Sequence, residues 1–186
     1  MTLLVVGIGV PELGAQGGDE RALIDALGDL LPEIVSFVIS FAVIGRYWLA
    51  HHGTFARLAA MDYGLIAWNL LYLAFIAFLP FPTALLGSYF ENPISVALYG
   101  LLAGVVSGLE VVAFRHAHRH GLFSRSMPEE IFRWGAVMSL LPVVFFFLAI
   151  PLAFVSTVLA VSAWLLVLPG EMLLNRRAPA EARDWF

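Results

Sequence analysis

The sequence predicts an all-α fold, a polytopic bundle of membrane-spanning helices, and three observations predict it. Hydrophobic residues make up 61% of the 186 positions and charged residues 13%, against roughly 45–50% and about 25% in an ordinary soluble domain. A water-soluble chain of this size could not hide so much apolar surface. The apolar residues fall in five long blocks and a shorter N-terminal one, separated by polar connections. The ten basic residues are all arginines, and nine of them stand in or beside every second connection: Arg46, Arg57, Arg115, Arg119, Arg125, Arg133, Arg176, Arg177 and Arg183. Only Arg21 belongs to the opposite set, where Asp19, Glu20, Asp25, Asp29 and Glu33 cluster. Positive residues are retained in the cytoplasm during insertion, so this alternation predicts a multi-pass plasma-membrane protein with both termini cytoplasmic.

A hydrocarbon core of about 30 Å needs roughly 20 helical residues to cross it. The first block, residues 1–10, supplies about 15 Å, half a crossing. It reads as a re-entrant or interfacial piece or as an incomplete first helix, ended by Pro11-Glu12. The second block, about residues 30–50, meets the crossing length and is followed by His51-His52-Gly53-Thr54. A third is expected over about 63–86, with Pro80 and Pro82 near its outer end, and a fourth over about 93–114, before Arg115-His116-Ala117-His118-Arg119-His120. The stretch from Trp134 to Leu168 would be roughly 50 Å as one helix, too long for a single crossing. Pro151 therefore predicts a tight turn between a fifth helix, about 131–150, and a sixth, about 152–168; Pro142 is expected to kink the fifth. The expectation is one transmembrane domain over 1–186, six helices with the first incomplete, and a cytoplasmic tail over 171–186.

Several function classes are excluded. There is no cysteine, hence no disulfide, thiolate metal site or cysteine nucleophile. No basic n-region precedes the apolar start, so no cleaved signal peptide is expected. No nucleophile–base pair, phosphate loop or pair of carboxylates falls within the apolar blocks, so no enzyme and no cofactor are expected. The Arg115–Arg125 stretch directly follows a transmembrane block, which points to anionic headgroups rather than nucleic acid. His51 and His52 are adjacent and point apart on a helix with no third ligand following, so no metal site is expected there. Glu110, near the end of the fourth helix, reads as an interfacial carboxylate pairing with Arg115 or His116. Gly100, Gly104 and Gly108 form a small-xxx-small row suited to close helix approach.

Several stretches in order resemble the bacterial branch of the transmembrane-protein-175 family, potassium channels related to the endolysosomal potassium and proton leak channel. They are Thr2-Leu3-Leu4-Val5 to Val10-Pro11-Glu12, Ser40-Phe41, Ile44-Gly45, Tyr47-Trp48 with His51-His52, Asp62 followed by Asn69-Leu70, Leu79-Pro80-Phe81-Pro82-Thr83, and Tyr99. The resemblance spans essentially the whole chain and is densest over residues 1–100. It implies six helices per subunit, a homotetramer in the lipid bilayer with the first helices around the axis, and passage of potassium ions without a glycine-tyrosine-glycine carbonyl filter. No such filter occurs in this sequence. The family's hallmark, an arginine followed shortly by phenylalanine-serine-aspartate, belongs to the cytoplasmic half of the first helix, and this sequence starts downstream of it.

The resemblance also implies site residues. Met1, Leu4, Val5 and Ile8 share one helical face; they either pack against neighbouring helices or, with Thr2, line a pore whose apolar ring gates by dewetting. Trp48, His51, His52 and Asn69 are implied as a polar network supporting the pore helix. Read without the resemblance, Trp48 is an interfacial anchor, the histidines are headgroup-level residues, and Asn69 is interhelical glue. The functional expectation is a subunit of a potassium-selective cation channel with a hydrophobic constriction and only transient ion occupancy. The alternatives are a secondary transporter, which would need ionisable groups near the bilayer centre, or a non-conducting structural membrane protein.

Overall fold

The computed structural model describes residues 9–11, 13 and 19–185, the side chains of Arg183 and Asp184 excepted. The expected first helix, and with it Met1, Thr2, Leu4, Val5 and Ile8, lies outside the described residues. The protein is an all-α membrane bundle. Among the described residues five spans are long and apolar enough to cross a membrane: Leu31–Phe55, Tyr63–Ser88, Pro93–Arg119, Glu129–Ala153 and Thr157–Asn175.

A short amphipathic helix, α1 (Glu20–Asp29), precedes the first of these, capped by the Asp19 carboxylate, which accepts from the Arg21 N–H at 2.9 Å. The acidic segment expected to be an outer connection is thus partly helical. Helix α2 (Leu31–Phe55) carries Pro32 in its first turn, where a missing N–H costs nothing. Its buried residues Ser36, Ser40, Ile44 and Tyr47 recur at helical spacing and form one face. The next span is divided: α3 (Tyr63–Phe78) stops at Leu79 and α4 (Pro80–Ser88) restarts, because Pro80 and Pro82 remove two of three successive donors. Small residues let α4 approach α2: a Cβ on Gly87 would lie 3.0 Å from the Glu33 Cα. Ser40 donates across this contact to Thr83 Oγ1 at 2.8 Å, while Thr83 donates to the Leu79 carbonyl at 2.8 Å.

Helix α5 (Pro93–Arg119) is the central element and the most extensively buried. The Asn92 side chain caps it, accepting from the Ile94 N–H at 2.9 Å, with Pro93 at the first helical position. It packs most extensively on α6 (Glu129–Ala153). Gly100 and Gly104 face α6 closely, whereas a Cβ on Gly108 would meet nothing within 4 Å. Of the three consecutive residues Phe145, Phe146 and Phe147, Phe146 is core and packs on Trp164 at 5.8 Å between ring centroids.

The turn expected at Pro151 lies elsewhere. Helix α6 continues through Pro142 and Pro151 to Ala153, and the chain reverses over residues 154–156. Helix α7 (Thr157–Leu165) then begins at Ser156, whose hydroxyl accepts from the Leu159 N–H at 3.3 Å. Proline is tolerated inside membrane helices because neighbouring groups satisfy the freed carbonyl; the serine cap sets the reversal. Helix α8 (Val167–Asn175) completes the last span. Helices α2 and α5 also run past their expected ends at 50 and 114, so His51, His52 and His116 all lie within them.

One end of the bundle gathers the α2–α3 and α5–α6 connections and the C-terminal segment. An isolated bridge joins Leu58 to Phe123, and the Ala59 N–H donates to the Leu122 carbonyl at 2.9 Å. Gly121 ends α5 at φ +63°, a conformation that favours glycine. The segment expected to be a tail is docked here: after a 3-10 turn (Ala180–Asp184), Trp185 is buried against Phe123, with the Arg125 guanidinium 4.3 Å over its ring.

Candidate functional site

Two polar clusters lie among the apolar helices toward that end. The first joins α3, α2 and α5. His51 Nε2 is 2.8 Å from Asn69 Oδ1, and the imidazole is stacked between Phe55 (4.1 Å between centroids) and Tyr72 (5.2 Å). The Tyr72 hydroxyl donates to the Tyr47 carbonyl at 3.1 Å. The Tyr47 hydroxyl donates to the Ala103 carbonyl at 2.6 Å and lies 3.0 Å from Ser107 Oγ. An unpaired polar group in an apolar interior costs several kcal/mol, so each member requires the next, and the chain of contacts fixes α2 between its neighbours.

The structure brings together His51 and Asn69 but not all four residues expected to act jointly. Successive helical residues are rotated by about 100°, so His52 points away from His51. It stacks on Trp48, with centroids 5.2 Å apart and planes 5° off parallel, and both side chains are exposed. Asn69 and His51 therefore face the bundle while Trp48 and His52 lie on the uncovered side of α2.

The second cluster is ionic and joins α2, α5 and α8. Arg46 directs Nε and Nη2 to Glu171 Oε1, each at 2.7 Å, and Nη1 to Glu110 Oε2 at 3.7 Å. The last distance is an ion pair without a hydrogen bond. Glu110 thus pairs with Arg46 from another helix, not with Arg115 or His116 as its sequence neighbourhood suggested. An open cleft of about 620 Å³, lined by Arg46, Trp134, Ser139, Glu171 and Asn175, adjoins the cluster. Sequence reasoning missed both Arg46 and Glu171 as partners. The available signal was Arg46 itself, a charge set within an apolar block, since such residues pair almost always.

At the bundle end, the Asp62 carboxylate caps α3 by accepting from the Leu65 N–H at 2.7 Å. It also accepts from or pairs with His116 Nε2, 2.9 Å from each of its oxygens. The Leu65 N–H first, and His116 second, hold its pKa below the ordinary aspartate value. On the other side of the α5 terminus, His118 stacks on Phe132 at 3.9 Å and approaches Glu129 at 3.5 Å.

The sequence profile described as "Endosomal/lysosomal potassium channel TMEM175" matches residues 1–80. A potassium channel of Streptomyces collinus is 33% identical over 168 residues, covering 88% of this chain and 80% of that protein. A potassium channel of Chamaesiphon minutus is 34% identical over 120 residues, 64% of this chain and 58% of that protein. The fold is similar to the crystal structure of a lysosomal potassium-selective channel TMEM175 homolog from Chamaesiphon minutus, with a TM-score of 0.69 and 27% identity over 96% of this chain and 90% of that one. The ordered sequence match along most of the Streptomyces protein and the shared bundle lead to one conclusion: the chain belongs to the TMEM175 family.

Proposed function

We propose that the chain is a subunit of a potassium-selective cation channel, a homotetramer of the plasma membrane with both termini cytoplasmic. The observation that carries this reading is the 33% identity over 80% of the length of a relative named a potassium channel. Membership of an ion-channel family rather than an enzyme family agrees with passive flow and no turnover. The pore is formed by the first helix, with Met1, Thr2, Leu4, Val5 and Ile8 facing the axis and an apolar ring as the constriction. The His51–Asn69 pair supports that helix through α2, whose uncovered face carries Trp48 and His52. The gathering of Arg57, Arg125 and the α5 terminus at one end of the bundle supports the cytoplasmic assignment of that end.

Purified protein in liposomes under a potassium gradient is the test. It is assayed as the 186-residue chain and with a helical segment carrying the family's arginine and phenylalanine-serine-aspartate pattern placed before Met1. Potassium-selective flux from either is the expected result, and none from both would overturn the proposal. Among the described residues the Arg46–Glu110–Glu171 cluster is the feature that favours a secondary transporter, whose flux would saturate with substrate or couple to protons.

Replacing Asn69 with leucine should lower stability by about 0.6–1.7 kcal/mol, the range of interhelical hydrogen bonds in membranes. It should also reduce flux in protein that still elutes as a folded assembly. Undiminished flux would remove the His51–Asn69 pair from the pore-supporting role.

A further inference from the structure

The C-terminal turn of α5 carries His116 and His120, spaced i and i+4 so that both project from one face. Across from them stands Asp62, at the start of α3, and one ligand atom from each of the three residues lies within 4.8 Å of the others. The imidazoles stack at 4.0 Å between centroids, and His116 Nε2 points at the Asp62 carboxylate.

Three further observations bear on what this cluster accepts. His120 Nδ1 lies 3.0 Å from the His116 carbonyl. A carbonyl can only accept, so Nδ1 donates, and in the neutral ring the lone pair is then on Nε2. This is the outer hydrogen bond that fixes tautomer and ring direction in metal-binding histidines. Gly64 makes room for the cluster, since a Cβ there would lie 2.6 Å from His116 Cε1 and 2.9 Å from Nε2. The two segments bearing the ligands are also held together from behind, by the Leu58–Phe123 bridge and the Ala59 to Leu122 hydrogen bond.

We propose that Asp62, His116 and His120 form a binding site for a divalent transition-metal ion of the zinc type, with water as the fourth ligand, joining the α2–α3 connection to the end of α5. Two imidazoles and a carboxylate suit zinc or cobalt, whereas calcium and magnesium take oxygen donors. Bonds of about 2.0–2.2 Å in a tetrahedron set ligand atoms about 3.4 Å apart. The 2.9 Å contact between His116 and Asp62 therefore opens slightly, and the exposed His120 side chain closes in. The site shares no residue with the implied pore and its test does not depend on conduction.

Tag-free, full-length protein in detergent is titrated with cobalt(II), following the visible absorption that distinguishes tetrahedral from aqueous cobalt, and then with zinc as competitor. The expected result is a saturable tetrahedral spectrum abolished by zinc, and a raised thermal unfolding midpoint in zinc. His120→Ala, at an exposed position, should weaken binding at least about tenfold. Asp62→Asn should do the same while keeping a competent helix cap, because asparagine caps about as well as aspartate. His118→Ala, on the other side of the helix end, should bind like the parent. Absence of a tetrahedral spectrum in the parent protein, or equal affinity in the His120→Ala and Asp62→Asn variants, would overturn the proposal.

Discussion

Arg46→Met is expected to be the most destabilising single substitution in the bundle, costing about 3–5 kcal/mol, the range for removing one partner of a buried ion pair. Arg46, Glu110 and Glu171 come from three helices, and their side chains are only 23%, 10% and 20% exposed. Without the guanidinium, two carboxylates that share it are left facing the same apolar surroundings, and the tie between α2, α5 and α8 is lost. Glu110→Gln should cost much less, because its 3.7 Å contact is not a hydrogen bond and Arg46 keeps its two bonds to Glu171. The double variant Arg46→Met with Glu110→Gln should recover part of the loss, since one stranded charge has been removed. Thermal unfolding of the four proteins in detergent gives the coupling directly. If Arg46→Met unfolds at the parent's midpoint, the cluster does not hold the three helices together.

The spans were legible because hydropathy and arginine placement respond to the membrane itself, whereas helix ends and side-chain partners do not. Hydropathy marks the apolar slab. It cannot show that α2 continues to Phe55 or α5 to Arg119, since histidine and arginine prolong a helix into the polar zone without interrupting its hydrogen bonds. At the α6–α7 reversal, Pro151 was the more conspicuous signal, but Ser156-Thr157 was the more informative one, because a cap satisfies the backbone donors of the new helix. Glu110 was misassigned for a related reason: proximity in sequence suggested Arg115 or His116, and the partner was Arg46 on a different helix. The family resemblance grouped His51, His52, Trp48 and Asn69, but a grouping by sequence cannot say that only His51 turns toward Asn69 while His52 and Trp48 stack on each other. Asp62, His116 and His120 could not have been joined from spacing, since only the folded connections bring Asp62 to the α5 terminus.

The glycine row of α5 offers a graded test of how the two central helices pack. Gly100 lies against backbone: its added Cβ would stand 3.1 Å from the Phe146 carbonyl oxygen, with Ile150 and Trp164 atoms each at 3.7 Å. A main-chain carbonyl inside a helix cannot swing aside, so Gly100→Val must push α5 and α6 apart. Overpacking of this kind costs about 1–3 kcal/mol. At Gly104 the obstacle is the Phe147 ring, 3.0–3.2 Å from the new Cβ. That ring is 40% exposed and can rotate outward, so Gly104→Val should cost less. Gly108 has open space, and there Gly108→Ala should be neutral or stabilising by up to about 1 kcal/mol through helix propensity alone. The expected order of unfolding midpoints is therefore Gly100→Val lowest, Gly104→Val intermediate and Gly108→Ala at or above the parent. Equal losses at all three positions would mean that the row serves a second contact along its whole length, as between subunits, rather than the α5–α6 approach that Gly100 and Gly104 make within one chain.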